Sequence, residues 1–203
     1  AAGKGTRMRS DRAKVLHEVC GRPMLGYVLD AATGAGASPL AVVVGHQVDS
    51  VKQVFASSQV AWVLQEPQLG TGHAVTIARS AVPPDGDVLV LCGDAPLVRA
   101  ETLTALLECH RTCESAATVL TAEVDDPTGY GRVLAQPDGT VLDVVEHLDA
   151  TPDQREIRTI NSSIYAFRAT DLFSALGEVK NDNAKKEYYL PDVLKVLISR
   201  GGH

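Results

Sequence analysis

The sequence has few aromatic residues and no long apolar run, and each deficit excludes a class of protein. Phe, Trp and Tyr make up 4% of the 203 residues, against 45% hydrophobic residues overall. Too few aromatics are present for the stacking surface that binds single-stranded nucleic acid. No apolar stretch reaches the roughly 18 residues of a membrane-spanning helix, and no signal peptide is visible. We expect aliphatic packing of helices on a sheet, with neither nucleic acid nor membrane as a partner.

Cysteine is scarce as well. The chain contains Cys20, Cys92, Cys109 and Cys113. Cys109 and Cys113 are four residues apart and are expected on one helix, where they could offer two metal ligands. A tetrahedral zinc site needs four ligands, and no second pair has matching spacing. The sequence therefore predicts reduced, half-buried thiols in a cytoplasmic protein.

Positive charge is in deficit, because the formal net charge is −6. This balance argues against a general polyanion binder. The basic residues that are present concentrate in residues 1–14, where five of them accompany a single acid, Asp11. They are Lys4, Arg7, Arg9, Arg12 and Lys14. A compact cationic segment on an acidic chain suits a small anionic ligand such as a phosphate chain.

Strand-like and helix-like patterns alternate through the first half of the chain. Short apolar runs typical of buried parallel strands occur at 39–46, 60–65 and 87–94. Helical patterns occupy 23–35, 48–56, 72–80 and 101–112. This order predicts a Rossmann-like, doubly wound α/β fold with right-handed crossovers.

The pattern changes after residue 115. Strands are predicted at 116–124 and 157–167, and helices at 169–178 and 188–200. The turn signal P-D-G predicts a β-hairpin over 131–146. Ligands of open α/β sheets bind beyond the carboxyl ends of the strands, so the small and polar residues that follow the strands are the candidate site.

The opening A-A-G-K-G-T-R-M is compatible with two kinds of phosphate chemistry. Read as A-G-K-G-T, it resembles the end of a P-loop, but that motif requires Ser or Thr after the lysine, whereas Gly5 follows Lys4. A dinucleotide fingerprint fails because Met8 occupies the place of its third glycine. Gly3 and Gly5 nevertheless allow backbone N–H groups to approach phosphate oxygens closely. A P-loop kinase therefore stays a weak alternative.

Read as G-x-G-T-R-M followed by Lys14, the same segment resembles the loop of sugar-1-phosphate nucleotidylyltransferases. Further motifs agree over essentially the whole chain: Q-E-P-Q-L-G-T-G-H-A (65–74), G-D-A-P-L (93–97), D-D-P-T-G-Y-G-R (125–132), V-V-E-H-L-D-A-T (144–151) and N-D-N-A-K-K-E-Y-Y-L (181–190). Together they closely resemble the uridylyltransferase domain of the bacterial bifunctional UDP-N-acetylglucosamine pyrophosphorylase/glucosamine-1-phosphate N-acetyltransferases.

This resemblance implies one domain over 1–203 with the nucleotide-diphospho-sugar transferase fold, a doubly wound mixed sheet. It implies a nucleotide-binding half at 1–115 and a sugar-binding half at 116–203. It implies Mg²⁺-assisted, in-line attack of N-acetylglucosamine 1-phosphate on UTP, giving UDP-N-acetylglucosamine and pyrophosphate. It also implies a first strand that begins before Ala1. An acetyltransferase domain of left-handed β-helix type, outside this chain, would make the full-length protein a homotrimer.

The family's functional positions carry over onto matching residues. Arg7 would bind the departing pyrophosphate, Lys14 would bridge the reacting phosphates, and Asp94 would bind Mg²⁺. The family's second metal ligand, an Asn, would lie beyond His203. The implied substrate-binding residues of the first half are Ala1, Ala2, Gly3, Gly5, Gln65, Gln68, Gly70, Thr71 and Gly93. The implied sugar-binding residues are Gly131, Glu146 and Asn161. Gln65 carries a donor and an acceptor and can pair with a uracil edge.

A few residues depart from the family pattern or take lesser roles. Ser163 stands where Gly or Ala is usual beside the sugar, and Pro191 stands where Thr is common. His73 is expected to begin a helix and pack rather than act as a base, and Lys4 to be a supporting charge. Two other functions stay open: a nucleotidylyltransferase for another sugar or base, and a sensor that binds a nucleotide sugar without turnover.

Overall fold

The computed structural model describes residues 2–3 and 8–202. Its first half contains β1 (Glu18–Val19), β2 (Arg22–Pro23), α1 (Met24–Gly34), β3 (Ala41–Val44), α2 (Val48–Val54), β4 (Ala61–Leu64), α3 (Thr71–Ile77), β5 (Asp87–Val90) and α4 (Ala100–Thr112). The second half contains β6 (Ala117–Glu123), β7 (Arg132–Ala135), β8 (Val141–Val145), α5 (Pro152–Arg155), β9 (Thr159–Arg168), α6 (Ala169–Leu176) and α7 (Asp192–Ser199). Every helix and strand predicted between residues 23 and 200 is present, and the β1–β2 ladder and α5 are additional. The implied first strand stays a prediction.

Within the described residues the strands form three sheets. β1 and β2 are antiparallel, whereas β3 and β4 are parallel. In the third, five-stranded sheet, β9 pairs antiparallel with β5, β6 and β7, and β7 pairs with β8. β5 and β6 are therefore parallel to each other, so the predicted mixed sheet and the hairpin over 131–146 are confirmed. This sheet combines strands from both predicted halves of the chain, and the division at residue 115 stays a prediction.

The largest buried cluster packs α6 and α7 against the five-stranded sheet. Tyr165 and Phe167 of β9 stack with their ring centroids 5.4 Å apart, and Leu172 and Val193 of the two helices are fully buried with them. Burying one such side chain contributes about 1.5–3 kcal/mol. A second cluster joins the segment around Leu16 to β3 and α2. The two clusters fix the strand ends from which the candidate residues extend.

The four cysteines are less buried than the sequence suggested. Cys20, Cys109 and Cys113 are exposed and Cys92 is partly buried, so the expectation of half-buried thiols is wrong for three of them. The cause for Cys109 is the orientation of α4, whose buried face carries Leu103 and Leu107 instead. No helix among the described residues is long and apolar enough to cross a bilayer.

Candidate active site

Lys14 and Asp94 form an ion pair between the start of the chain and the turn after β5. Lys14 opens a short 3-10 turn, and the next residues, Val15 and Leu16, anchor that turn in the core. The side chains of Lys14 and Asp94 keep 40% and 30% of their surface exposed. Gly93 beside Asp94 is buried, so the pair lies at the edge of the buried interior and keeps enough exposed surface for a phosphate to approach.

Gln47 connects the Lys14 segment to the end of β3, a contact that sequence reasoning missed. Its Oε1 accepts a hydrogen bond from the Ala13 N–H at 2.7 Å, and its Nε2 donates to the carbonyl oxygen of Asp11. The backbone of Gln47 lies in the left-handed region, with φ 54°. The sequence feature that could have identified Gln47 is its position shortly after the apolar strand β3. Gln47 therefore helps to set the position of Lys14.

Three residues of the opening motif, Ala2, Gly3 and Met8, are described, and Ala2 lies beside the end of β3. Ala2 is buried, and its carbonyl oxygen accepts from the His46 N–H at 3.4 Å. A side chain at Gly45 would collide with Gln68 and lie 3.1 Å from the carbonyl oxygen of Ala2. The glycine thus allows Gln68 to lie next to the opening motif. The predictions for Ala1, Gly5 and Arg7 fall outside the described residues.

Gln65 follows β4 and is almost completely buried, with 4% of its surface exposed. Its backbone N–H donates to Val44 at 2.7 Å, and its Nε2 donates to the carbonyl oxygen of Gly70 at 2.9 Å. The same Nε2 lies 3.2 Å from Nδ1 of His73, which is in the first turn of α3 as expected. Because the amide nitrogen is used inside the loop, the carbonyl oxygen is the side of Gln65 that can serve a ligand.

The L-G-T-G loop is attached to a segment more than a hundred residues later. Gly70 has φ 111°, and a Cβ there would lie 2.6 Å from the carbonyl oxygen of Tyr188. That oxygen accepts from the Gly72 N–H at 2.7 Å, and Thr71 Oγ1 accepts from the Leu190 N–H at 3.0 Å. The glycines are therefore required by close backbone approach, and the E-Y-Y-L motif acts as the support of the loop.

Gly131 just before β7, Glu146 just after β8 and Asn161 on β9 lie side by side, and we call this set the sugar row. The Asn161 N–H donates to the carbonyl oxygen of Gly131 at 2.9 Å. A Cβ at Gly131 would lie 3.3 Å from Glu146 Oε1 and 3.4 Å from the Cβ of Asn161. Residues that are far apart in the sequence thus form one compact polar patch.

Asn161 is held in a single orientation. Its Oδ1 accepts from the Ser163 N–H at 2.9 Å, which directs Nδ2 toward the hydroxyl of Tyr165 at 2.6 Å. Tyr165 is buried, and burial raises the pKa of its phenol. The Cys92 thiol in turn donates to the carbonyl oxygen of Ser163 at 3.6 Å. These contacts connect the turn that carries Asp94 to the sugar row.

A cavity of about 130 Å³ opens beside the sugar row. Its lining comprises Val144, Glu146, Asp149, Asp182, Asn183, Tyr189, Pro191, Asp192 and Lys195. Burial raises the pKa of the Glu146 carboxyl above its ordinary value. The buried hydroxyl of Tyr189 has no hydrogen-bond partner among residues 8–202, and burial raises its pKa to about 12. Pro191, one of the departures from the family pattern, lies in the wall of this cavity.

Ser163, another departure from the family pattern, carries backbone strain. Its φ is 61°, in the left-handed region, where the pairing of β9 with β6 is irregular. A non-glycine residue there costs about 1–2 kcal/mol, part of which the greater unfolded-state entropy of glycine offsets. We expect Ser163→Gly to raise the melting temperature by about 1–4 °C in differential scanning calorimetry. Ser162→Gly, which removes the hydrogen bond from Ser162 to Leu120, should lower it; a decrease for both variants would refute the strain.

The fold is shared with nucleotidyltransferases that act on sugar phosphates. A solved UDP-glucose pyrophosphorylase in complex with UDP-glucose matches 100% of this chain and 86% of its own, with TM-score 0.83 at 19% identity. A putative glucose-1-phosphate thymidylyltransferase from Bacillus anthracis matches 99% of this chain and 81% of its own, with TM-score 0.79 at 19% identity. Residues 1–184 match the MobA-like NTP transferase domain, and the chain belongs to that family.

Curated relatives agree along the whole chain. The bifunctional protein GlmU of Pelobacter propionicus is 50% identical over 203 residues, and that of Geobacillus thermodenitrificans is 49% identical over 203 residues. The alignments cover 99% and 100% of this chain, and the chain spans about 44% of the length of each relative. The resemblance to the bifunctional family that the motifs predicted is confirmed.

Proposed function

We propose that this chain is a uridylyltransferase that forms UDP-N-acetylglucosamine and pyrophosphate from UTP and N-acetylglucosamine 1-phosphate. The identity of about half of its residues to GlmU proteins supports this activity. The observation that carries the proposal is the pair of Lys14 and Asp94. Gln47 connects Lys14 to the β3 end near Gln68, and Cys92 connects the Asp94 turn to the sugar row.

In this proposal the uridine lies against the loop around Gln65. The carbonyl oxygen of Gln65 is an acceptor that matches the N–H on the pairing edge of uracil. Hydrogen bonds from Gly72 to Tyr188 and from Leu190 to Thr71 hold the loop, so it fixes the position of the base before any reaction, and therefore the position of the α-phosphorus. This positioning supplies part of the rate acceleration.

The chemical step needs no nucleophile from the protein. An oxygen of the sugar phosphate attacks the α-phosphorus of UTP in line, the new P–O bond forms, and the bond to the leaving pyrophosphate breaks. A phosphate dianion is already a competent attacking group, so the protein contributes positioning and charge stabilisation. Lys14 stabilises the negative charge on the phosphate oxygens in the transition state. Arg7 is proposed as the second cation, on the leaving pyrophosphate.

Asp94 suits a role as the protein ligand of a divalent metal ion, which nucleotidyltransferases of this family generally use. Its carboxylate is partly exposed and already contacts a cation, Lys14. No group of three or more His, Cys, Asp or Glu side chains in the described chain could hold a metal by itself. Mg²⁺ in phosphoryl transfer commonly binds one or two carboxylates together with substrate phosphates, so one aspartate is consistent with it. Bound there, Mg²⁺ would neutralise phosphate charge.

The sugar row is proposed to bind the sugar. One N–H of the Asn161 Nδ2 donates to Tyr165, and its second N–H is a donor of fixed orientation. The Glu146 carboxylate is an acceptor for hydroxyl or amide N–H groups. Gly131 leaves space for close approach of the ring. This combination of one donor and one acceptor is suited to the hydroxyl and acetamido groups of N-acetylglucosamine.

The raised pKa of Glu146 makes a prediction about stability. Since its folded-state pKa exceeds the unfolded value, the carboxyl stabilises the protein most below the unfolded pKa, and this contribution is lost as the pH rises through the folded pKa. Glu146→Gln should therefore raise the melting temperature at pH 7.5, and the gain should shrink as the pH falls to 4. Thermal scans across this range check it. The exposed Glu108→Gln should show no such trend, and an equal gain for Glu146→Gln at both pH values would contradict the prediction.

A pyrophosphate-release assay with a panel of substrates tests the proposed function. UTP, dTTP, ATP and GTP are each combined with N-acetylglucosamine 1-phosphate, glucose 1-phosphate or mannose 1-phosphate in the presence of Mg²⁺. We expect the highest kcat/KM for UTP with N-acetylglucosamine 1-phosphate. A different best pair would identify a related nucleotidylyltransferase, and saturable binding without turnover would identify a sensor.

Further expectations for the whole protein belong to the same proposal. They are a cytoplasmic location, a supply of precursors for peptidoglycan and lipopolysaccharide, and a homotrimer assembled through a further domain. All three stay predictions.

A further inference from the structure

The largest fully buried side chain of the described chain is a charged one, Arg132, with 1% of its surface exposed. Removing a guanidinium from water costs several kcal/mol unless close partners compensate it. Its hydrogen-bond partners within the described chain include no carboxylate: it donates to the carbonyl oxygens of Tyr130 and, at 3.1 Å, Arg155, and it lies 3.5 Å from Nδ1 of His147. The nearby Asp126 carboxyl, whose pKa is lowered first by its hydrogen bonds from Thr128 and further by the Arg132 charge, forms no ion pair with the guanidinium. Its Nε is buried without a partner among residues 8–202. Core packing alone gives no reason for a cation here.

The register of the sheet places Arg132 directly beside the sugar row. Arg132 begins β7 and pairs with Val145 on β8 and with Ile160 on β9. The sugar row is the next set of positions in this antiparallel register: Gly131 precedes Arg132, Glu146 follows Val145 and Asn161 follows Ile160. Because successive side chains of a strand point to opposite faces, the guanidinium extends to the face opposite the sugar row.

Each acceptor of the guanidinium belongs to a different segment that leads to the sugar row. Tyr130 immediately precedes Gly131, and His147 immediately follows Glu146. Arg155 ends α5, the helix that precedes β9 and Asn161. A single side chain therefore connects the three segments whose relative position sets the geometry of the sugar row.

We propose that Arg132 is a positioning residue for sugar binding: it holds Gly131, Glu146 and Asn161 in register from the opposite face of the sheet. The inference rests on the proposed function of the sugar row. Arginine is suited to this role because its planar fork presents several donors in fixed directions, whereas lysine offers one compact charge. The role depends on donor geometry, and the charge of the side chain is not sufficient.

Binding measurements separate this role from a general contribution to stability. We would measure by calorimetry the Kd of UDP-N-acetylglucosamine, which occupies the sugar row, and the Kd of UTP, which does not. Arg132→Met should raise the Kd of UDP-N-acetylglucosamine by about tenfold or more, the equivalent of one or two lost hydrogen bonds. Its Kd for UTP should change less than about twofold, since the Gln65 loop is unaffected. Arg132→Lys, which keeps the charge, should also raise the Kd of UDP-N-acetylglucosamine more than the Kd of UTP.

The matched control is Arg158→Met. Arg158 is another arginine that donates to a backbone carbonyl, Val124, at 3.0 Å, but it is exposed and lies outside the sugar row. Its loss should leave both Kd values unchanged. Melting curves identify the variants that are folded, and Arg132→Lys provides the test if Arg132→Met does not fold.

The possible results distinguish this inference from the proposed function. A folded Arg132 variant that binds both ligands normally, or that loses affinity for both equally, overturns the positioning role. A wild-type chain that binds both ligands but releases no pyrophosphate refutes the catalytic function, while the ratio of the two Kd values still decides the role of Arg132. A wild-type chain that binds neither ligand overturns both.

Discussion

Replacing Lys14 by Met should lower kcat by about 10²–10³-fold, the usual loss when one fixed group that stabilises transition-state charge is removed. The ammonium group of Lys14 lies against Asp94 in the turn after β5, where the phosphates are proposed to react. Because the pair is partly exposed, its loss should cost little stability, within about 1 kcal/mol. Steady-state pyrophosphate release at saturating UTP, sugar phosphate and Mg²⁺ measures the effect.

Lys52→Met is the matched control for this experiment. Lys52 is an exposed lysine near the end of α2, outside the candidate site. Its replacement should leave kcat within about twofold of wild type, as expected for a surface change away from the site. A kcat for Lys14→Met close to that of Lys52→Met would remove Lys14 from the mechanism.

Asp94→Asn should raise the Mg²⁺ concentration needed for half-maximal activity by at least about 10–100-fold. Mutating a residue that only hydrogen-bonds to a metal ligand already lowers metal affinity by that factor. The amide keeps the size of the side chain but removes the charge that Mg²⁺ prefers. A Mg²⁺ titration at fixed UTP and sugar phosphate gives the shift.

The exposed Asp85→Asn controls for the general loss of one negative charge. It should leave the Mg²⁺ titration curve of the wild type in place. Unchanged half-saturation for Asp94→Asn would mean that Asp94 does not bind the metal, and its pairing with Lys14 would then be its only role.

Local patterns in the sequence were sufficient to predict the elements, because their causes are local. The apolar run that becomes β3 and the P-D-G turn of the β7–β8 hairpin each carry their own signal. The short α5 escaped prediction because a four-residue helix has no periodicity to detect. The central place of β9 also could not be derived, since strand order depends on long-range pairing.

The candidate site was predictable in its residue types but not in its geometry. The resemblance to the family's motifs identified Gly131, Glu146 and Asn161 as sugar-binding candidates. Their position side by side follows only from the strand register. Arg132 escaped attention because an arginine is ordinarily expected at the surface, although the motif G-Y-G-R contained it. Gln47 was likewise missed, because its contact with Ala13 joins distant segments. Arg7 stays a prediction, since it lies outside the described residues.

The most direct test of the central claim is quantification of both products from one reaction. The wild-type chain is incubated with UTP, N-acetylglucosamine 1-phosphate and Mg²⁺, and UDP-N-acetylglucosamine is measured by mass spectrometry alongside released pyrophosphate. The account predicts equal amounts of the two products, with formation of both abolished when the sugar phosphate is omitted. Saturable binding of UTP and of UDP-N-acetylglucosamine with neither product formed would contradict it.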